Sequence, residues 1–261
     1  MGRNKVDKTG EIRINNFGSE MVIVEYRKAI DIDVYFPQYN WTAKSIQYDN
    51  FKNGKIKCPY EKRYYEVGYI GEGKYKTSEN GKNTKCYKTW HNMLRRCYDP
   101  KLHKKEPTYI NCEVCKEWYN LQDFGNWFMD NYYEIEYERM ALDKDILCKG
   151  NKIYSPDNCI FVPERINTLF IKRDKLRGDY PIGVNYHKRD KKFQASCHIY
   201  DFKENKSKLT YLGLYDTPTE AFNTYKRFKE NNIKEVADYY KNLIPTKLYN
   251  ALYNYKIDIG D

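Results

Sequence analysis

The chain has 261 residues, of which 41% are hydrophobic and 16% aromatic, so it has enough apolar material for folded cores. Lys and Arg number 46 against 36 Asp and Glu, which gives a formal net charge of +10 and favours a polyanionic partner. The N-terminus has no stretch typical of a signal peptide, and no run reaches the roughly 18 apolar residues of a membrane span. The composition therefore argues against a membrane protein and predicts a cytoplasmic one.

A second explanation of the charge stays open. Lys, Asn and Tyr all have A/T-rich codons, so an A/T-rich gene would enrich the chain in these residues without any nucleic-acid partner. The distribution of charge is more informative than its total, because the basic excess lies in residues 1–84 and 171–261, whereas 85–170 is balanced. Basic flanks around a carboxylate-rich centre suit an enzyme that holds a polyanion.

Residues 1–80 are predicted to form a small β-rich module. Apolar residues alternate in 21–26 (MVIVEY) and 32–36 (IDVYF), which is typical of strands. Two roles are open for this module: a small β-barrel that binds DNA or a partner, and a structural cap. The glycine-rich residues 68–83, which overlap the end of this module, predict a linker.

The range 85–170 is predicted to mix helices with a short hairpin. Residues 85–98 place aromatic and apolar side chains at helical spacing, and 115–133 have the same character. Residues 142–167 then predict a strand, a turn, a second strand and the start of a helix.

Asp143 and Lys144 lie at the end of the first of these strands, with Asn158 in the turn region and Asn167 in the helix. Together with the intervening GNKIYSPDNCIFVP, this pattern resembles the HNH nuclease motif, a ββα-metal element of phage proteins. The resemblance implies Asp143 and Asn167 as ligands of a divalent ion, Mg²⁺ or Mn²⁺, and Asn158 as the residue that orients the base. Such an ion stabilises the leaving phosphate oxygen while the base deprotonates water.

The sequence departs from that family at the general base, because Lys144 stands where the family has histidine. An ordinary lysine titrates at about 10.4 and is a poor base at neutral pH. Asp145 adds a carboxylate that the simplest form of the motif lacks. His91 and His103, the two histidines of this range, are expected to lie at the surface or to pack rather than to act in catalysis. Either another group is the base, or the module binds without cutting.

The eight cysteines are expected to be free or metal-bound rather than bridged, because no secretion signal is seen. Cys112 and Cys115 have the spacing of zinc ligands, and Cys97 and Cys159 would complete a four-cysteine Zn²⁺ site. The alternative is that these thiols pack around buried tryptophans.

Residues 182–228 contain an ordered series of landmarks. They are Gly183-Val184, Phe193-x-Ala195, Tyr211-Leu212-Gly213-x-Tyr215-Asp216-Thr217, Glu220-Ala221 and Tyr225. The series resembles the Apetala/ethylene-response-factor DNA-binding domain, which also occurs in phage and homing HNH endonucleases. The resemblance implies three antiparallel strands against one helix, with the sheet in the major groove of double-stranded DNA.

The DNA-binding residues that this resemblance implies lie on the first strands and their turn. They are Tyr186, Lys188, Arg189, Lys191, Lys192, Gln194 and Tyr211. The arginine-rich strand face of the family is largely replaced by lysine, glutamine and tyrosine, which leaves backbone contacts intact but puts bidentate guanine readout in doubt.

The sequence thus predicts a modular α+β protein. Its ranges are 1–80 (β-rich), 85–170 (HNH-like ββα-metal centre), 180–232 (three-stranded sheet plus helix) and 233–261 (short helical tail). The predicted function is sequence-tolerant binding of double-stranded DNA with metal-dependent phosphodiester cleavage, as in a homing-type endonuclease, in the host cytoplasm if a phage encodes it. Two alternatives are open: a catalytically inactive phage DNA-binding or anti-defence protein on the same scaffold, and an RNA-binding protein, because lysine and tyrosine on a sheet also suit stacked single strands.

Overall fold

A computed structural model describes residues 7–170, 179–201 and 206–260. The strands are β1 Ile12–Ile14, β2 Glu20–Lys28, β3 Asp31–Phe36, β4 Trp41–Ile46, β5 Ser78–Glu79, β6 Lys82–Asn83, β7 Glu113–Val114, β8 Met140–Asp143, β9 Ile153–Tyr154, β10 Ile160–Pro163, β11 Val184–His187, β12 Lys192–Asp201 and β13 Lys206–Tyr215. The helices are α1 Tyr48–Lys52, α2 Lys85–Tyr98, α3 Pro100–Lys105, α4 Leu121–Asn131, α5 Glu164–Thr168, α6 Pro218–Tyr240 and α7 Thr246–Tyr253. The predicted mixture of helices and strands is therefore confirmed. No helix of the described residues is long and apolar enough to cross a bilayer.

The chain divides into two compact units. The first consists of Met1–Asn131 and Lys152–Pro156, and the second of Tyr132–Asn151 and Asp157–Asp261. The HNH-like range 85–170 has residues in both units. Residues 171–179 (IKRDKLRGD), whose basic sequence predicts a linker, lie almost wholly outside the described residues.

The first unit begins with an antiparallel sheet in the order β1-β2-β3-β4. In β3 the side chains of Ile32, Val34 and Phe36 are buried and alternate with partly exposed ones, as the period-two pattern predicts. Phe51 of α1 joins the same core. The alternating apolar residues therefore decide which face of the sheet is buried.

Residues 70–75 contact α4, although the glycine content of 68–83 predicts a linker. The Gln122 side-chain amide donates hydrogen bonds to the carbonyls of Ile70 and Tyr75, both at 3.0 Å, and its oxygen accepts the Tyr75 amide. Gly125 leaves room for the Tyr75 ring, since an added Cβ would lie 2.3 Å from Cδ2 of that ring. The first part of the predicted linker is therefore packed against a helix, where the buried Gln122 amide satisfies two backbone carbonyls and one backbone amide.

The second unit contains a ββα element and a three-stranded sheet. β8 and β10 pair antiparallel, with Asp143 opposite Ile160, and α5 follows β10 directly and packs against both strands. The sheet has the order β11-β12-β13, and α6 packs against all three strands. Ile160, Val162 and Ile166 of the ββα element share one core with the sheet and α6.

Helix α6 begins at Thr217-Pro218-Thr219-Glu220, a sequence that predicts a helix N-terminus. The Thr217 hydroxyl accepts the Glu220 amide and the Glu220 carboxylate accepts the Thr217 amide, a capping box, with Pro218 as the first helical residue. The helix continues to Tyr240, so the boundary expected at residue 232 falls inside it.

Candidate nucleic-acid interface and metal centre

Helix α6 covers one face of the sheet β11-β12-β13 and leaves the other face uncovered by that helix. Along β12, Ala195 and Cys197 are buried on the side of α6, and the side chains between them point to the opposite face. The residues of this open face follow from the strand register: Asn185 beside Gln194, Tyr211 beside Ser196, and Leu209 beside His198. Tyr211 is 59% exposed. The structure therefore brings the predicted residues Gln194 and Tyr211 to one accessible surface.

The turn between β11 and β12 carries most of the predicted cations. Lys188, Arg189 and Lys191 are exposed. Arg189 Nε lies 2.9 Å from Asp190 Oδ1, and Lys192 Nζ lies 3.1 Å from Asp216 Oδ1. Exposed ion pairs of this kind contribute about 0–1 kcal/mol, so these side chains can exchange their partners for phosphates at little cost.

Tyr186 lies apart from the open face. It pairs with Phe193, on the side of the sheet that carries Ala195, and its ring centroid is 5.3 Å from that of Phe193. Tyr180 also contacts Phe193, so the three rings form a cluster beside the basic turn. Tyr186 nevertheless remains 41% exposed.

Asp143 is the last residue of β8, where its carboxylate holds the following turn. Its Oδ1 accepts hydrogen bonds from the amides of Asp145 (2.9 Å) and Ile146 (2.7 Å). Burial and then the neighbouring Asp145 carboxylate raise the pKa of Asp143 to about 6. Two adjacent carboxylates are oxygen donors of the kind that a hard divalent cation takes, so the donor chemistry fits Mg²⁺ or Mn²⁺.

Lys144, which the resemblance to the HNH motif aligns with the base, is buried, with 8% of its surface exposed. Its Nζ lies 3.2 Å from Asp145 Oδ2, an ion pair between adjacent residues. The Lys144 carbonyl accepts a hydrogen bond from the side-chain Nδ2 of Asn151 at 2.7 Å, and Asn158 Nδ2 donates to Asn151 Oδ1 at 3.4 Å. Asn158 is therefore connected to the end of β8 through Asn151. Sequence reasoning missed Asn151, although GN is a turn signal just before β9.

Asn167 lies near the end of α5 and is half-buried. Because α5 packs against both β8 and β10, Asp143 and Asn167 belong to one ββα element. The two histidines of 85–170 contact residues of the first unit. His91 contacts the rings of Tyr64 and Tyr87, and His103 Nε2 lies 2.8 Å from the Arg96 carbonyl oxygen.

None of the eight cysteines is in a disulfide. Cys97, Cys112 and Cys115 belong to the first unit and Cys159 to the second. Burial raises the pKa of Cys115 to about 11, which disfavours the thiolate form that zinc requires. Within 7–170, 179–201 and 206–260, no cluster of three or more His, Cys, Asp or Glu side chains has the arrangement of a metal site. The zinc site stays a prediction.

Comparisons of the chain with models of protein families, with curated proteins and with solved structures each gave no match.

Proposed function

We propose that the chain binds double-stranded DNA through the open face of the sheet β11-β12-β13 and cleaves it with little sequence preference at a divalent metal ion held by the ββα element. The observation that carries this proposal is the open face itself, which presents Gln194, His198 and Tyr211 and ends at the basic turn 188–192. A β-ribbon of this size fits the major groove of B-DNA.

The charge of the turn supports binding to the DNA backbone. Lys188, Arg189 and Lys191 are exposed at the tip of the β11–β12 hairpin, where they can reach phosphates on either side of an inserted sheet. Arg189 is the one arginine among the predicted DNA-binding residues, so few bidentate contacts with guanine are available. Phosphate contacts without base readout give sequence-tolerant binding.

The ββα element supplies the residues for the cleavage step. Asp143, with Asp145 beside it and Asn167 on α5, would hold the ion, which when bound stabilises charge on the leaving phosphate oxygen. The Asp143 carboxylate is oriented by two backbone amides, so it keeps its position before any ion binds. Asn158 and Asn151 brace the end of β8 through the Lys144 carbonyl.

One observation favours a second candidate, DNA binding without cleavage. Lys144 stands where the HNH motif has its base, but it is buried and its Nζ contacts the Asp145 carboxylate. On this alternative the ββα element is a scaffold, and the open face alone carries the function.

Binding is tested by replacing Lys188, Arg189 and Lys191 with Gln in one variant. Its affinity for duplex DNA should fall at least tenfold at low salt. The slope of log affinity against log salt should decrease by roughly 0.9 for each phosphate that the variant no longer neutralises. The matched control replaces three exposed lysines of α3, Lys101, Lys104 and Lys105, with Gln. Equal losses in both variants, or a salt-independent affinity, would refute a specific role of the turn.

Cleavage is tested with supercoiled plasmid in Mg²⁺ or Mn²⁺, with EDTA as the control. Asp143→Ala should abolish nicking because it removes the charged ligand at the end of β8. If Lys144 is the general base or holds the scissile phosphate, Lys144→Ala should slow cleavage roughly 10²-fold or more, whereas a lysine that only fills the histidine position should leave the rate almost unchanged. Lys144→His restores the family's residue, so a gain of cleavage in this variant alone identifies a disabled nuclease. No cleavage by either the wild type or Lys144→His, together with no Mn²⁺ binding, would leave only the DNA-binding candidate.

A further inference from the structure

A cleft of about 1090 Å³ lies within the second unit, between α5, the sheet and α6. Aromatic and aliphatic side chains form much of its wall. They include Phe170, Tyr225, Tyr255, Leu169 and Ile199. The volume is that of a site for a small organic ligand with an apolar body.

Lys229 of α6 lines this cleft and is buried, with 8% of its surface exposed. Among the described residues, no carboxylate lies within ion-pair distance of its Nζ. Burial lowers the pKa of Lys229, and the neighbouring Cys197 side chain opposes this effect. Burying an ammonium without an anion costs several kcal/mol of folding free energy. An apolar residue at this position would pack against the helix without that cost.

The other charges around the cleft are paired with one another. Arg165 Nε lies 3.2 Å from Glu138 Oε1, and Arg139 Nη1 lies 3.8 Å from Glu164 Oε2. The Arg165 guanidinium also lies over the Tyr200 ring, 4.8 Å from its centroid, which fixes this arginine at the rim. The two glutamates are therefore matched by the two arginines, and Lys229 is left as the excess positive charge of the cleft.

We propose that this cleft binds a nucleotide unit, with its phosphate on Lys229 and its base against the aromatic wall. A phosphate provides the anion that the buried ammonium lacks, and a base has the flat apolar faces that Tyr225, Phe170 and Tyr255 can contact. The nucleotide has two sources, a free nucleotide or a residue of a DNA strand. Binding of a free nucleotide does not depend on the proposed function, whereas binding of a nucleotide within a DNA strand rests on it.

The test uses the full chain and isothermal titration calorimetry with a deoxynucleoside monophosphate, the matching nucleoside and inorganic phosphate. Wild type should bind the monophosphate at least tenfold more tightly than either fragment. Lys229→Met should lose at least tenfold in affinity, because a hydrogen bond to a charged group is removed. Arg227→Met is the control, since Arg227 is an exposed cation of the same helix that does not line the cleft.

The second arm measures duplex and single-stranded DNA affinity for the same variants. A loss in Lys229→Met with DNA but no binding of the free monophosphate assigns the cleft to a strand. Binding of the monophosphate by a protein that does not bind DNA supports the cleft while refuting the DNA-binding proposal. If Lys229→Met changes neither affinity, the cleft is not a nucleotide site.

A measurement on the wild type covers the case in which Lys229→Met does not fold. Lys229 is treated with an amine-acetylating reagent, and its modification is followed by peptide mass spectrometry with and without the monophosphate or DNA. Bound phosphate should slow the acetylation of Lys229. The acetylation rate of Lys234, five residues further along α6, should not change. Equal rates with and without both ligands would overturn the proposal.

Discussion

Gly183 sets the distance between the sheet and helix α6. It has a φ of +78°, and an added Cβ would lie 2.1 Å from Cδ2 of the Tyr225 ring. The residue before β11 must therefore be both left-handed and without a side chain. This explains in physical terms why Gly183 is the first landmark of the C-terminal series.

Gly183→Ala should destabilise the protein by roughly 2–4 kcal/mol, because overpacking costs about 1–3 kcal/mol and the left-handed backbone about 1 kcal/mol more. Gly150→Ala is the matched control. It has a φ of +82° but nothing within 4 Å of an added Cβ, so only the backbone cost of about 1 kcal/mol applies. Urea unfolding followed by circular dichroism measures both. Equal effects of the two substitutions would contradict the steric role of Tyr225.

The ion pair between Arg27 and Asp33 makes the stability of the first unit depend on pH. Arg27 Nη2 lies 2.5 Å from Asp33 Oδ1, and the Asp33 side chain is 14% exposed. The hydrogen bond from Arg27, and then that from the Ser45 amide, lower the pKa of Asp33 below its ordinary value. A lowered folded-state pKa means that this interaction stabilises the protein above about pH 4, the unfolded value, and is lost as pH falls through the folded value.

The free energy of unfolding should therefore decrease between pH 5 and pH 3, and Asp33→Asn should make that decrease smaller. Tryptophan fluorescence during urea unfolding is a suitable measurement, because all four tryptophans are in the first unit. Asp130→Asn, at an exposed position of α4, serves as the control and should retain the wild-type pH dependence. An unchanged pH dependence in Asp33→Asn would show that its carboxylate has the same pKa when folded and unfolded.

At the scale of elements, the capping box of α6 gives a prediction for the helix that supports the sheet. Thr217→Ala removes the acceptor for the Glu220 amide and should cost about 1 kcal/mol of stability. Thr219→Ala, at an exposed position in the first turn, makes no such contact among the described hydrogen bonds and should change stability by less than about 0.5 kcal/mol. Similar losses in both variants, measured by thermal unfolding, would argue against the cap.

Elements with strong local signals could be predicted from the sequence. The aromatic spacing of 85–98 predicts α2 with its observed ends, and Thr217-Pro218 predicts the start of α6. The parallel pair β7–β9 could not be predicted, because two-residue strands carry no periodicity and their pairing depends on residues far apart in the chain. Nor could the contact of residues 70–75 with α4, which depends on the Gln122 side chain and on the space that Gly125 leaves for Tyr75.

The candidate site was predictable to a similar extent. Residue types placed Asp143 at a strand end and the cations in a hairpin turn, as the structure has them. The side of the sheet on which Tyr186 lies depends on the register of β11 against β12, which the sequence does not specify. The cleft at Lys229 was missed because its walls come from α5, α6 and the sheet, and only the folded core brings them together.

At the scale of the whole molecule, the shared core predicts that the ββα element depends on the C-terminal residues. Ile146, Ile160 and Val162 are buried in one cluster with residues of β11, β12, α6 and α7. Deleting residues 180–261 should therefore expose this apolar surface and unfold β8, β10 and α5. Hydrogen exchange followed by mass spectrometry should show rapid exchange in 140–168 of the truncated chain. Retained protection there would mean that the ββα element folds without the sheet.

Strand β9 has a consequence for the synthesis of the protein. The first unit is interrupted in sequence by residues 132–151, and it includes Tyr154, which is 2% exposed and follows them. A growing chain that has already made α4 therefore still lacks part of the core of its first unit. At about 5–20 residues per second, the missing strand arrives roughly 1–4 s later, after β8 of the second unit has left the ribosome's active centre. Until then β7 has no parallel partner. The first unit therefore cannot complete its fold before synthesis of the second unit has begun.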